Sequence, residues 1–145
     1  MGQQQLLLLV LGIVIVGLAV VVGIQAFSEN QKKANADALV NDAIRVASDA
    51  QAWMLKPTAF GGGGNAGDWS SVTLEQLGYS TADAENGDCA AGEYGNLNGC
   101  FTITATATDI TITATSGTNS NQVTVVVDGT EPENITTSVD TNYSS

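Results

Sequence analysis

Apolar residues follow three different rhythms along this chain. From Leu6 to Ile24 every position is aliphatic or glycine, so no face is left for water. Between Leu39 and Met54 the apolar positions Leu39, Ala43, Val46, Ala47, Ala50, Trp53 and Met54 recur at spacings of three and four. Beyond Cys100 the period drops to two: Phe101, Ile103, Ala105 and Ala107 interleave with Thr102, Thr104, Thr106 and Thr108, and Ile110, Ile112 and Ala114 alternate with threonine likewise. Val123 to Val127 adds a third β-branched run. The first rhythm predicts a helix buried on all sides, at about 1.5 Å per residue just long enough to cross a ~30 Å hydrocarbon layer. The second predicts an amphipathic helix and the third an antiparallel sheet with one buried face.

No proline interrupts the chain before Pro57, and the segment from Ser28 to Lys56 is rich in good helix formers, so the two helical rhythms join into one long helix. Residues 1–27 are its hydrophobic half and 28–56 its amphipathic half. Lys56-Pro57-Thr58 ends it, and the glycine run Gly61 to Gly64 reads as a connector. It lacks the Gly-Lys-Ser/Thr ending of a phosphate loop. Thr73 and Gln76 have capping-box spacing and Gly78 can close a turn, which predicts one or two helical turns packing Trp69, Leu74 and Leu77 on the stem. Residues 80–99 read as loop. Three strands follow, with turns at Thr108-Asp109 and Gly117 to Asn121; such a sheet needs a cover, and the stem's stripe supplies it. The fold class is therefore α+β: a long N-terminal helix whose C-terminal half packs on a small antiparallel β-sheet, in a globular part spanning 57–128. The polar tail 129–145 predicts no regular structure on composition.

Charge sharpens this division. The chain of 145 residues carries a net charge of −11 and no histidine. Its four cations, Lys32, Lys33, Arg45 and Lys56, all precede Pro57, where Glu29, Asp37, Asp42 and Asp49 balance them. The stem is neutral and the head is a polyanion, which argues against nucleic acid or anionic lipid as partners of the head. Cys89 and Cys100 form an isolated pair in a segment beyond an apolar span, and read as a disulfide; zinc would need further thiolate or imidazole ligands. Asp83, Glu85, Asn86 and Asp88 raise a calcium site, but their spacing fits no EF-hand and solvated acidic loops are common, so no metal is assigned. Without histidine or free thiol no nucleophile and base pair is available, and neither catalytic residues nor a cofactor are assigned.

In its order of elements the chain resembles a type IV pilin: an apolar N-terminal helix running on into an amphipathic half, a glycine-rich connector, an antiparallel sheet on the helix, and a cysteine pair in the C-terminal half. The resemblance implies a structural subunit of an extracellular filament whose core is a bundle of these helices. Met1, Gln5, Leu6, Leu11, Val16, Val20 and Ile24 would then line that core. It also implies a single-pass precursor in the inner membrane, a prepilin peptidase, N-terminal methylation, an assembly ATPase and a membrane platform as partners. The chain departs from the family at three points. Gln5 stands where the family has Glu facing a neighbour's N-terminal amine, although an amide still accepts a hydrogen bond. Met1 stands where Phe is usual, and the proline common in the apolar half is absent.

Two other classes share these features: a pseudopilin of a type II-like secretion system, and a single-pass membrane-anchored exported binding domain. Asn134-Ile135-Thr136 and Asn142-Tyr143-Ser144 are sequons, so Asn134 and Asn142 are candidate glycosylation sites, and the tail is expected to carry glycan, to dock on a neighbouring subunit, or both. Lys32 and Lys33 lie on the exported flank of the span, against the usual charge bias. A short basic leader cut just before Met1 is the expected remedy; the alternative is Met1 as initiator, with orientation resting on the helix's hydrophobicity and the acidic head.

Overall fold

The computed structural model describes residues 2–81 and 89–144. One helix, α1 (Gly2–Leu55), runs unbroken for 54 residues, about 80 Å at helical rise. The glycines at 12, 17 and 23 do not interrupt it, since each costs only ~1 kcal/mol against alanine. A five-stranded antiparallel sheet lies against its C-terminal half, with strands in the order β1 (Tyr94–Gly95), β2 (Cys100–Ala105), β3 (Ile110–Ser116), β4 (Asn121–Val127) and β5 (Ile135–Asp140). Each strand pairs with the next in sequence, so the sheet is a simple meander.

The period-two pattern sets which face meets the helix. Ile110, Ile112 and Ala114 of β3 and Val123, Val125 and Val127 of β4 are buried beneath α1, with Phe101 of β2 beside them. The opposite face carries the threonines, which pair across strands as Thr102 with Thr113 and Thr113 with Thr124. From the helix come Leu39, Ala43, Val46, Ala47, Ala50 and Met54, all essentially sealed from solvent. Three of those six are alanine, which leaves room for the sheet's branched side chains to approach the helix closely. Trp69, Val72 and Leu74 close the edge of this core, and Leu77 packs against it half-buried. The expected turns after Thr73 reduce to a single turn: Thr73 Oγ1 accepts the Gln76 amide at 3.3 Å, and Gly78 at φ +90° ends it.

Two expectations are corrected. Residues 80–99 were expected to be loop throughout, yet Tyr94–Gly95 pairs with β2. The cause is local: the Asn96 Oδ1 accepts the amides of Asn98 and Gly99 at 2.9 and 3.1 Å, forming the tight turn that returns the chain as β2. The tail was expected to lack regular structure, but Ile135–Asp140 forms β5 on β4 from Val127↔Ile135 to Gln122↔Asp140. Low hydrophobicity misled here because β4 would otherwise present an open row of amides and carbonyls, and Ile-Thr-Thr-Ser-Val has the β-branched shape that such an edge accepts. The buried Gln51 fixes the approach, donating through Nε2 to the carbonyls of Gly129 and Glu131 at 2.9 and 2.8 Å. The tail thus belongs to the head's own sheet.

The glycine run is more than a connector. It folds back over the end of α1, where the amides of Gly63, Gly64 and Asn65 donate to the carbonyls of Trp53, Lys56 and Met54 at 2.9, 2.9 and 2.7 Å. Carbonyls that a helix end leaves without partners are satisfied in this way. The approach is close enough that a Cβ on Gly62 would overlap the Lys56 carbonyl, and one on Gly63 would lie 2.8 Å from the Met54 sulfur. Gly62→Ala is therefore expected to destabilise the head by roughly 1–3 kcal/mol, the usual cost of overpacking. Gly117→Ala, where a Cβ meets nothing, should be close to neutral. Unfolding followed by tryptophan fluorescence checks both, since Trp53 and Trp69 are buried in the core.

Candidate functional site: an uncovered apolar helix beneath an acidic head

The head buries α1 residues fully only from Ala36 onward, and its lowest hydrogen bonds reach the carbonyl of Lys32. Below it, the large apolar side chains between Leu6 and Phe27 are each 51% to 70% exposed. Among the described residues α1 is long and apolar enough to cross a membrane, and none of that apolar window is buried. Leu6, Leu11, Val16, Val20 and Ile24 all lie on this stretch; Leu6, Val16, Val20 and Ile24 share one side of the helix and Leu11 lies on another, and Gln5 precedes them one turn from the described end. Met1 lies outside the described residues, as do Asp83, Glu85, Asn86 and Asp88 of the candidate calcium loop.

Where α1 enters the head, polar side chains replace the apolar seam. Asp42 accepts the side-chain amides of Asn96 and Asn98 at 2.9 and 2.7 Å. Two turns below, Asn35 donates to the Asn98 carbonyl at 2.9 Å. Fully buried Asn121 opens β4 and donates to both the Lys32 carbonyl and the Asn35 Oδ1, at 2.8 and 2.9 Å. Both of those partners are acceptors, so the orientation of its amide is fixed. Four asparagines and one aspartate thus hold the lower edge of the sheet to one side of the helix. Sequence patterning could not find this group, because its members are separated by up to 86 positions and none repeats at a helical or strand period. The one visible signal was the density of asparagine around Gly95 to Gly99.

Cys89 and Cys100 form the expected disulfide, with Cα atoms 5.5 Å apart. Closing a loop of this size stabilises a fold by about 3 kcal/mol on the chain-entropy model. The Glu93 carboxylate lies close to both sulfurs, but sulfurs joined to each other are not thiolate ligands, and the trio is not a metal site. Asn134 is half-buried, and its Oδ1 accepts the Glu131 amide at 3.2 Å in the short turn before β5. Asn142 is exposed, with its backbone amide donating to the Asp140 carboxylate at 2.9 Å.

Among the described residues, no group of side chains in the head's clefts pairs a nucleophile with a base. No family model, curated protein or solved structure matches the chain. The chain's distinguishing chemical feature is therefore a surface rather than a pocket: a rod of aliphatic side chains held rigidly below an anionic head.

One titrating contact couples head to stem. Tyr79 donates its hydroxyl to the Asp49 carboxylate on α1 at 2.5 Å and stacks edge-on against Tyr94, ring centroids 4.9 Å apart. Burial, reinforced by the hydrogen bond and the negative charge of Asp49, pushes its phenol well above the ordinary value of 10. The neutral form is favoured in the folded state, so this contribution is complete below pH 10 and is lost as pH rises above it. Tyr79→Phe is expected to be less stable than the parent at neutral pH and to show a shallower loss of stability above pH 10. Denaturation midpoints measured from pH 8 to 12 check this; parallel curves for the two proteins would contradict it.

Proposed function

We propose that this chain is the structural subunit of an extracellular pilus-like filament that polymerises through its N-terminal helix. The observation that carries the proposal is the wholly uncovered apolar half of α1, continuous with the helix on which the head is built. Such a surface is stable only in lipid or against copies of itself, and the proposal uses both in turn. The subunit waits in the inner membrane as a single-pass precursor, then leaves it as its helix exchanges lipid for neighbouring helices. The exchange is between two apolar surroundings, so its driving force comes from packing rather than from removing apolar surface from water. Leader removal, the assembly ATPase and the membrane platform enter by resemblance to type IV pilins.

Rigid continuity between rod and head favours this reading over a tethered binding domain. A tether needs only a span and a flexible linker, whereas α1 passes from apolar rod to buried core without a break. A pseudopilin shares the geometry and differs in filament length. The two sequons extend the proposal: Asn142 is exposed and presents a side chain where glycan would meet solvent.

Removal of detergent from the purified protein, without lipid, is expected to give unbranched filaments visible by electron microscopy. A charge in the middle of the rod, as in Leu11→Lys, should abolish them, since such a residue costs about 3 kcal/mol in an apolar bundle or bilayer centre. Monodisperse protein or amorphous aggregate from the parent chain would refute the proposal.

A further inference from the structure

Outside the rod, exposed large apolar side chains are few: Val139 on β5 and Ile44 on α1 are the less exposed ones, and the three most exposed stand at opposite ends of the head. Phe60 is 72% exposed and Leu55 56% exposed at the end where α1 stops. Leu97 is 93% exposed at the other end, in the turn between β1 and β2 that is bonded to Asn35 and Asp42. From Asn35 to Leu55 the helix rises about 30 Å. Neither side chain sits on loose chain. The Phe60 amide donates to the Pro57 carbonyl at 3.0 Å within the turn that caps α1. Leu97 is flanked by Asn96 and Asn98, both anchored to Asp42. Apolar groups fixed in water on ordered backbone lose little entropy when a partner covers them.

Charge distinguishes the two ends. Exposed Lys56, the last cation in the sequence, lies four residues before Phe60. Leu97 borders a cleft of about 510 Å³ lined also by Glu93, Asn98, Thr118, Asn119 and Tyr143, in which Glu93 is the charged lining residue among those described. One end offers a cation beside an aromatic ring; the other offers an anion beside a leucine and a tyrosine. We propose that the Lys56 and Phe60 end of one subunit docks into the Glu93 and Leu97 cleft of a second copy, head to tail. The two patches differ, so the contact is heterologous and, unless it closes a ring, propagates without limit. It places the two copies one head-height apart, about 30 Å. Within an otherwise anionic surface, the single cation at the upper end fixes which end meets which.

This contact rests on the filament proposal and supplies its axial register. The test compares the parent chain with Lys56→Glu, Glu93→Lys and the double variant, in assembly after detergent removal. Each single variant is expected to raise the concentration needed for assembly about tenfold, equal to about 1.4 kcal/mol, and the double variant to return to within about threefold of the parent. Lys56 is exposed, so the unfolding midpoint of Lys56→Glu read by tryptophan fluorescence should stay unchanged. The Glu93 carboxylate also accepts the Ala90 amide at 2.8 Å, so Glu93→Gln, which keeps that acceptor and removes the charge, is assembled beside Glu93→Lys and should weaken assembly likewise. Single variants that assemble like the parent, or a double variant no better than the worse single, would overturn the docking and leave the filament itself standing. A parent chain that forms no filaments would overturn both. A second measurement needs no charge: in a chain carrying Phe60→Cys and Leu97→Cys, the two thiols lie too far apart to join within one subunit. Oxidised filaments should give a ladder of covalent multimers, and monomer alone would refute the contact.

Discussion

The uncovered aliphatic rod is the constraint on which the rest of the molecule depends. Each large apolar side chain left in water forfeits about 1.5–3 kcal/mol of burial. The rod displays more than a dozen of them, so the sum exceeds the 5–15 kcal/mol by which a typical domain is stable. The isolated subunit in water is therefore an incomplete structure. Its head can be well folded while the whole chain remains far from its free-energy minimum. Everything between Ala36 and Ser144 can be understood as a means of presenting the rod in one fixed direction.

That fixing uses three kinds of contact in sequence along α1. At the lower edge, Asn35, Asp42, Asn96, Asn98 and Asn121 form directional hydrogen bonds. In the middle, Val46, Ala47 and Ala50 meet the branched side chains of β3 and β4 without polar contact. At the upper end, Gln51 holds the approach to β5 and the glycine run caps the last carbonyls. The apolar seam supplies most of the stabilisation but little orientation, because hydrophobic burial is not directional. The polar contacts contribute less net free energy each, about 1 kcal/mol. They set the rotation of the sheet about the helix, and a slip would leave Asn121 or Gln51 buried without partners.

The main architecture was legible because it is written in periodicity. All-round apolar character marked the rod, the three-four stripe marked the buried face of α1, and strict alternation with threonine marked β2 and β3. The cysteine pair could be matched because there was no other thiol to choose. What stayed hidden depends on surfaces that exist only after folding. β5 has a polar sequence and forms because β4 offers it an edge. The glycine run reads as a spacer in one dimension and becomes a cap when the end of α1 is set beneath it. The asparagine contacts join residues from α1, the β1–β2 turn and β4, and no local pattern relates those three. The rod was visible as a candidate site from its composition; the cleft beside Leu97 was not, because its lining comes from three separated segments.

The separation of charge from apolar surface gives the two halves opposite roles in association. Beyond Pro57 the sequence contains acids without Lys, Arg or His, so heads repel heads wherever they approach within a Debye length, ~10 Å at 0.1 M salt. Repulsion of this kind is weak at any one contact and is cumulative over a surface. The rod contains no charge at all between Gly2 and Ser28, and helices there can approach without electrostatic cost. In the proposed filament, cohesion would rest on the rods and on the head-to-tail contact, while like charge on the heads would oppose side-by-side contact between filaments. A head of mixed charge would be free to aggregate laterally through the same threonine-covered sheet face, which here carries exposed Asp140 opposite Gln122. Placing the cations on the stem leaves them where they oppose neither role, flanking the rod at Lys32 and Lys33 and marking the upper end of the head at Lys56.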